Sequence, residues 1–398
     1  MSRILVVGAG FAGSTYAREL AQAGHDVEVI DKRPHIGGNA YDEVFAVGTW
    51  VHRYGPHLFH TNNARVVGWL RRFGTFVPYE HRVTALLPSS ELAPLPVNRT
   101  TVGLVFGRYL QSAQDMADFL DSLAVPCDAP RNAAEYLASR IGTRLTDLFF
   151  RPYTRKMWGL DLEEMDAGIV KRVPLRYDNE DRYFPGDRFQ LLPRDGYSVI
   201  FSAILDHPRI RIATSTPFNR SMLQGFDICF NSMPIDEYFD FALGPLPYRS
   251  IRFHHRSEPR DYALGTTSVV NFTDTGTFTR QTDWSRLPGH LVRQTGQKTV
   301  TLEEPCDYTE NSYERFYPVK THDRRNEMLY ERYKELARGE PKLRFIGRCG
   351  TYQYLDIDQV INQSLQGVHN WLAGRCRRNL SIPGHRLGHQ PIAQPSLA

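Results

Sequence analysis

The chain has 398 residues, enough for two or three domains, and its 41% hydrophobic and 23% charged residues are typical of a globular protein. Its net charge of +4 comes without a dense basic block, which argues against nucleic acid and favours a small anionic ligand. The five cysteines are scattered and form no Cys-x-x-Cys pair, which argues against a disulfide framework. Since no signal peptide and no apolar run near the ~20 residues of a membrane span is present, we expect a cytoplasmic protein.

The first 31 residues have the pattern of a strand, a helix and a second strand. The run ILVVG at 4–8 is apolar throughout and ends in glycine, as a buried parallel strand does. Residues 11–24 carry helical spacing that stops at Gly24, and DVEVID at 26–31 is a second apolar run closed by an acid. This order predicts a βαβ unit.

Three glycines, Gly8-x-Gly10-x-x-Gly13, lie where the predicted strand turns into the helix. In such a turn the first glycine permits the tight bend, the second lets the backbone approach a pyrophosphate, and the third lets the helix pack on the sheet. Asp31 ends the second strand, where an acid accepts hydrogen bonds from an adenosine ribose. The context favours dinucleotide binding over the alternative, a glycine-rich turn that binds nothing.

A glycine pair, Gly37-Gly38, follows the second predicted strand. A second glycine turn there lets the backbone run along the ribityl–pyrophosphate part of a longer cofactor, as in the glutathione-reductase and amine-oxidase type of FAD-binding protein. FAD is therefore favoured over NAD. The predicted fold class is α/β, with a Rossmann-like FAD-binding domain of glutathione-reductase type that carries an inserted helical bundle and an antiparallel β-sheet domain.

The pattern after residue 100 is the basis for these two inserted parts. Residues 104–149 contain short amphipathic segments, whereas 170–200 and 245–317 alternate with aromatics as antiparallel strands do. Helix and strand spacing returns near residue 325, and 358–374 predict a last amphipathic helix. The expected boundaries are 1–78, 190–235 and 320–380 for the FAD-binding domain, 100–160 for the helical bundle, 79–99, 161–189 and 236–319 for the sheet domain, and 381–398 for a disordered tail.

The stretch RYGPHLFHT at 53–61 places His57 and His60 three residues apart among aromatics. Three interpretations are open: a metal site, a catalytic pair, or the wall of a pocket for a flat ligand. Zinc is disfavoured because no second ligand pair with suitable spacing exists, so we predict no metal site.

A series of motifs resembles the UDP-galactopyranose mutases, a family of flavoenzymes, over most of the chain and in the same order. The most specific are YGPHLFHTNN and GRCGTYQYLDID. In chain order the motifs are HIGGNAYD (35–42), YGPHLFHTNN (54–63), PYEHRV (78–83), LFFRPYTRKMWG (148–159), KRVP (171–174), RYFP (182–185), NFTD (271–274) with FTR (278–280), RFYPV (315–319) and GRCGTYQYLDID (347–358).

The resemblance implies a reaction that uses flavin without net redox. In that reaction N5 of reduced FAD attacks the anomeric carbon of UDP-galactopyranose, displaces UDP and holds the sugar as a covalent galactosyl adduct while its ring opens and recloses. The product, UDP-galactofuranose, supplies cell-surface glycans. The resemblance further implies a homo-oligomer, at least a dimer, with no nucleic acid partner.

The resemblance also assigns residues. Arg172 and Arg280 match the arginines that face the diphosphate, His60 matches a histidine beside the isoalloxazine ring, and these three are the expected catalytic residues. The expected substrate-binding residues are both arginines with Phe149, Phe150, Tyr153, Thr154, Trp158, Tyr183, Phe184, Asn271, Tyr317 and Tyr354. The expected FAD-binding residues are Gly8, Gly10, Phe11, Ala12, Gly13, Asp31, Lys32, Gly38, Asn39, Ala40, His57, Leu58, His60, Arg348, Tyr354, Leu355 and Asp356. In this assignment His57 and His60 form the wall of a flat pocket, and a proton role for His60 stays open.

His81 departs from the family pattern. His81 stands where some members carry Asn, and because a histidine can charge near neutral pH we expect a more pH-dependent flavin.

Three rival functions are also compatible with parts of the pattern. An amine-oxidase-type FAD oxidoreductase would share the glycines and Asp31 but would not need the diphosphate arginines and tyrosines. A flavin-binding sensor would bind FAD without turnover, and an NAD dehydrogenase would not need Gly37-Gly38.

Overall fold

The computed structural model describes residues 1–171, 175–293 and 295–380. Arg172, expected to face the diphosphate, and the tail after residue 380 lie outside the described residues. Within these ranges no helix is long and apolar enough to cross a membrane. Nor do the described residues include a group of three or more His, Cys, Asp or Glu side chains that could hold a metal ion.

A five-stranded parallel sheet is built from the beginning, the middle and the end of the chain, in the order β10-β2-β1-β11-β17. Its three central strands bury apolar side chains in hydrophobic cores on both faces of the sheet. These three parts of the chain form the predicted α/β fold, and the fold class is confirmed. The strands are β1 (Arg3–Val7), β2 (Asp26–Ile30), β10 (Ile210–Ala213), β11 (Ile228–Asn231) and β17 (Leu343–Phe345).

Among the described residues, seven α-helices belong to this part of the molecule. On one face of the sheet the first helix and the last pack together, and Leu20, Ile361 and Leu365 share one buried core. The first helix ends at Gln22, close to Gly24, where the sequence predicts its end. Gly24 has φ +88°, a conformation that glycine adopts without strain. The helices are α1 (Phe11–Gln22), α2 (Ala64–Leu70), α8 (Tyr197–Leu205), α9 (Ile235–Tyr238), α10 (Arg325–Arg338), α11 (Gly347–Gly350) and α12 (Ile357–Leu380).

The second large sheet has seven strands in the order β16-β12-β15-β14-β13-β7-β8. The prediction of an antiparallel sheet is wrong at one pair, because β13 runs parallel to β7. Parallel neighbours need a long crossover, and about 180 residues separate these two strands along the chain. The strands are β7 (Val83–Leu86), β8 (Leu92–Leu95), β12 (Tyr248–Pro259), β13 (Val269–Phe272), β14 (Arg280–Asp283), β15 (Gln297–Asp307) and β16 (Tyr317–Pro318).

Smaller sheets connect these parts: β3 (Asp42–Val44) pairs with β4 (Trp50–His52), and β9 (Phe189–Pro193) lies between β5 (Phe59–Thr61) and β6 (Phe76–Pro78). The strand predicted within 170–200 therefore exists as β9, but it belongs to this three-stranded sheet rather than to the seven-stranded one.

In the part of the chain that the structure describes, five α-helices form the predicted helical region. The second of them starts after Ser112, whose side chain accepts a hydrogen bond from the Asp115 N–H. The last of them falls within 161–189, which we expected to belong to the sheet, and it packs against the third. The helices are α3 (Arg99–Phe106), α4 (Ala113–Leu123), α5 (Ala133–Leu145), α6 (Arg151–Trp158) and α7 (Ala167–Val170).

Candidate active site

The glycine turn between β1 and α1 leaves no room for a side chain at Gly8 or Gly13. Gly8 has φ +96°, and a Cβ at Gly13 would lie 1.8 Å from the Gly8 carbonyl oxygen, so Gly13 sets the packing of helix on strand. A Cβ at Gly10 would lie 3.6 Å from the Cα of Gly38, so the two glycine segments face each other closely. The N-terminus of α1 is thereby open to an anionic group.

Asp31 lies at the C-terminal end of β2, where the ribose acceptor is expected. Its Oδ2 accepts a hydrogen bond from the Ala9 N–H at 2.8 Å, and its Oδ1 accepts one from the Arg33 N–H at 2.9 Å. These bonds hold the carboxylate beside the glycine turn. Each oxygen keeps a further lone pair that can accept from a ligand hydroxyl.

A cavity of about 300 Å³ follows this turn. Twelve of the seventeen expected FAD-binding residues line it: Gly8, Gly10, Phe11, Ala12, Asp31, Lys32, Gly38, Asn39, Ala40, His57, Arg348 and Leu355. Gly13 lies behind the lining, where it packs α1 on β1. The glycines and the fixed acid fit the adenosine diphosphate part of a dinucleotide.

A second cavity, of about 490 Å³, adjoins the first, and His57, Arg348 and Ile357 line both. All expected substrate-binding residues except Arg172 line it: Phe149, Phe150, Tyr153, Thr154, Trp158, Tyr183, Phe184, Asn271, Arg280, Tyr317 and Tyr354. Leu58, His60 and Asp356, expected at the cofactor, line this second cavity, as does Tyr354, which was assigned to both ligands. The shared wall is where a ring at the end of a long cofactor would meet a substrate.

Arg280 begins β14 and is paired with Glu303 of the neighbouring strand. The Arg280 Nε donates to Glu303 Oε2 at 2.7 Å, and the Glu303 side chain is 1% exposed. Burial alone would lower the pKa of the Arg280 guanidinium, but the charge of the Glu303 carboxylate outweighs this effect. The pKa of Arg280 is therefore raised, and Arg280 stays charged. Glu303 was missed by the sequence analysis. In LEEP at 302–305 two adjacent acids alternate across the strand, and nothing in the pattern says which one faces inward.

Helix α6 carries four residues of the second cavity on one face: Tyr153, Thr154, Met157 and Trp158. It follows a π-helical turn at Thr146–Phe150 and ends at Gly159, which has φ +67°. On its other side Lys156 Nζ donates to the carbonyl oxygens of Phe272 at 3.0 Å and Phe278 at 2.8 Å. These bonds fasten the hairpin that carries Arg280 to the helix that carries Tyr153.

Two tyrosines and a tryptophan pack together around Arg348. The ring centroids of Tyr317 and Tyr354 are 5.3 Å apart, and Trp158 lies 6.1 Å and 6.3 Å from them. The Arg348 guanidinium is 5.6 Å from the Tyr317 ring and 5.2 Å from the Tyr354 ring. Burial raises the pKa of Tyr317 and of Tyr153, so both hydroxyls keep their protons and can donate to an anion.

His57 lies at the shared wall in a fixed orientation. Its backbone N–H donates to His52 Nδ1 at 3.0 Å, and its own Nδ1 lies 2.9 Å from the Gly55 carbonyl oxygen. Because a carbonyl oxygen only accepts, Nδ1 carries the proton and Nε2 is left as an acceptor. Burial lowers the pKa of His57 to about 4, so it is neutral at physiological pH.

The expectation that His81 charges near neutral pH is wrong. Its side chain is buried, and burial together with the charge of Arg280 lowers its pKa to about 3. Its Nδ1 lies 3.3 Å from the Tyr79 hydroxyl, which is 2.6 Å from the Ser268 hydroxyl. His81 is therefore a neutral hydrogen-bonding side chain in the cavity wall, as an asparagine would be.

The Rossmann-like fold, with a dinucleotide cavity that opens onto a second cavity of arginine and aromatic side chains, defines a flavin-binding enzyme. A family model described as UDP-galactopyranose mutase matches residues 148–354, and a model of an NAD(P)-binding Rossmann-like domain matches residues 6–73. The chain belongs to the UDP-galactopyranose mutase family and is an isomerase.

Relatives and solved structures cover nearly the whole chain. A dTDP-fucopyranose mutase of Escherichia coli is 32% identical over 92% of this chain and 97% of its own length. A probable UDP-galactopyranose mutase of Klebsiella pneumoniae is 32% identical over 93% of this chain and 94% of its own length. A crystal structure of a reduced UDP-galactopyranose mutase has a TM-score of 0.74 at 16% identity, covering 94% of this chain and 96% of its own. A putative protoporphyrinogen oxidase from Exiguobacterium has a TM-score of 0.65 at 14% identity, covering 94% and 99%. The fold is thus shared with a protein named as an oxidase.

Proposed function

We propose that this chain interconverts UDP-galactopyranose and UDP-galactofuranose with reduced FAD as its cofactor, and that the product supplies galactofuranose for cell-surface glycans. The observation that carries the proposal is the second cavity, where Arg280, Tyr317 and Tyr354 meet the aromatic face of α6. An amine oxidase has no need for donors suited to a diphosphate at this place.

The two adjoining cavities would hold FAD. The absent side chains at Gly10 and Gly38 would let a pyrophosphate approach the N-terminus of α1, and Asp31 would accept from the ribose. The flat ring would then meet the wall that His57 and Arg348 share between both cavities. When bound and reduced, FAD supplies at N5 the nucleophile for C1 of the sugar, without net redox.

The side chains of the second cavity would bind and polarise the nucleotide sugar. Arg280 and the hydroxyls of Tyr317 and Tyr354 would hold the diphosphate and stabilise the charge that grows as it leaves. Tyr153 would stack on uracil, and Arg172 would add a second cation to the diphosphate. Arg348, beside the shared wall, would favour the anionic form of a reduced flavin by charge attraction.

The test is chromatography of UDP-galactopyranose after incubation with the protein, oxidised in one sample and dithionite-reduced in the other. We expect FAD to be released by heat, UDP-galactofuranose to form only in the reduced sample, and no flavin to be consumed per product. Full turnover in the oxidised sample, or one flavin oxidised per product, would contradict the proposal. Peroxide formed with an amine in place of mutase activity would favour the oxidase alternative. Light scattering of the same sample tests the homo-oligomer that we also propose.

A second candidate substrate is dTDP-fucopyranose, because a mutase named for that sugar is as similar to this chain as the Klebsiella protein. The apolar side chains of Val83, Leu95, Ile169 and Val170 line the same cavity and could take the methyl group of thymine. Comparing kcat/KM for the two nucleotide sugars decides between them.

A further inference from the structure

Asp187 holds His60 against one wall of the second cavity. His60 Nδ1 lies 2.6 Å from Asp187 Oδ2, and the imidazole stacks on the Phe184 ring with centroids 3.5 Å apart and planes at 8°. The two residues are 127 positions apart and meet because β5 pairs with β9. The ring of His60 therefore has a fixed plane, and its Nδ1 has a fixed partner.

Asn62 fixes the Asp187 carboxylate in turn. Its Nδ2 donates to Asp187 Oδ1 at 2.8 Å and to the Gly186 carbonyl oxygen at 3.1 Å. Its Oδ1 accepts from the Arg188 N–H at 2.8 Å, so the amide cannot turn over without losing these bonds. Each oxygen of the carboxylate thus faces one nitrogen donor.

The hydrogen-bond pattern decides where the proton of His60 sits. An ionised carboxylate only accepts hydrogen bonds, so His60 Nδ1 must carry the proton that it shares with Asp187. Nε2 is then the nitrogen that a proton can join or leave. His60 lines the cavity together with Arg280, Tyr354 and Asp356, which places an oriented imidazole among the expected substrate-binding side chains.

We propose that Asp187 is a positioning residue that holds His60 in this orientation, so that Nε2 exchanges a proton with the sugar while its ring opens and closes. As the C1–O5 bond of the pyranose breaks, its electron pair stays on O5, which takes a proton from protonated Nε2. As the C1–O4 bond of the furanose forms, the O4–H bond breaks and that proton returns to Nε2. Between the two events the electron deficit at C1 is met by the reduced flavin of the proposed function, on which this inference rests. His60 ends each turnover as it began.

Asp187→Asn provides a sharp test because Asn62 dictates the orientation of the new amide. Its oxygen must face the Asn62 donor, so its NH₂ group faces His60, and Nδ1 must then accept. Nitrogen NMR of the holoenzyme, labelled at histidine, should show a proton on Nδ1 of His60 in the wild type, and a proton on Nε2 alone in the variant. Exchanging the pair, Asn62→Asp with Asp187→Asn, should return the proton to Nδ1.

The kcat of the reduced holoenzyme should depend on whether Nδ1 of His60 carries a proton. We expect kcat to fall about a hundredfold in Asp187→Asn, the lower end of what a general acid–base residue contributes. The KM of this variant should change less than about threefold. In the exchanged pair kcat should recover. A matched control is Glu304→Gln, since Glu304 Oε2 lies 2.7 Å from His254 Nε2 outside both cavities; it should change neither His60 nor kcat.

Two results would overturn the inference: a wild-type His60 that carries no proton on Nδ1, or an Asp187→Asn enzyme with a proton on Nε2 alone and an unchanged kcat. Wild-type enzyme that converts neither nucleotide sugar would instead refute the proposed function itself, and the proton role with it. If Asp187→Asn does not fold, the exchanged pair decides. A proton on Nδ1 of His60 with kcat at the wild-type level supports the inference, and a proton on Nε2 alone with full kcat refutes it.

Discussion

Replacing Arg280 by methionine should destabilise the fold as well as stop turnover, because of the acid it leaves behind. Arg280 Nε is 2.7 Å from Glu303 Oε2, and the Glu303 side chain is 1% exposed whereas that of Arg280 is 24% exposed. Removing one partner of a buried ion pair costs roughly 3–5 kcal/mol, since the other charge stays buried without compensation. Because water reaches the Arg280 side of the pair, we expect the lower end, about 3 kcal/mol.

A second substitution separates stability from catalysis. In Arg280→Met with Glu303→Gln no charge is left in the buried position, so most of the lost free energy of unfolding should return. The rate should not return, because loss of a donor aimed at developing charge costs roughly 10²–10³ in kcat.

Urea unfolding of the oxidised holoenzyme measures the first quantity, and kcat of the reduced enzyme measures the second. A single variant that loses less than about 1 kcal/mol, the range of an exposed ion pair, would show that Glu303 is not sealed behind Arg280. A double variant with near-normal kcat would show that Arg280 does not face the diphosphate.

Two further predictions concern pH and the glycine turn. His81 has a pKa of about 3 in the folded chain against an ordinary value of 6.5, so the stability it contributes is present above 6.5 and is lost as the pH falls towards 3. As the pH falls from about 6 to 4, the free energy of unfolding should decrease more steeply in the wild type than in His81→Asn, by about 1.4 kcal/mol per pH unit. Equal slopes in the two proteins would contradict the buried position of His81. In Gly13→Ala the new Cβ would lie 1.8 Å from a carbonyl oxygen, so the free energy of unfolding should fall by about 1–3 kcal/mol. In Gly10→Ala the new Cβ would lie 3.6 Å from the nearest atom, so this variant should fold normally and lose FAD. Gly68→Ala, with nothing within 4 Å, is the control for both, and retained FAD in Gly10→Ala would place the cofactor elsewhere.

Local signals in the sequence were sufficient for the dinucleotide end of the site. The strand, the three glycines, the helix and Asp31 are contiguous, and each glycine has a steric or conformational reason that holds wherever the turn occurs.

Residues that act through a distant partner could not be predicted in this way. Asp187 is one of several acids in a polar stretch, and only the pairing of β5 with β9 shows that it meets His60. Glu303 is distinguished from Glu304 only by which face of β15 is covered. The parallel pair β7–β13 was missed for the same reason, since alternation predicts a strand but not its neighbour or direction.

The charges of the second cavity show how an anion as strongly charged as a diphosphate could bind there. Four charged side chains line the described part of it, two positive (Arg280 and Arg348) and two negative (Glu303 and Asp356), so their sum is zero. Arg280 reaches the cavity already paired with Glu303, and its attraction for a ligand is reduced by that partner. Neutral donors do not suffer this loss, because burial raises the pKa of the Tyr317 hydroxyl and keeps its proton in place. Hydrogen bonds from such a hydroxyl to charged oxygens are stronger than those between neutral groups, so in the proposed function Tyr317 would bind the diphosphate while the ion pair holds Arg280 in position.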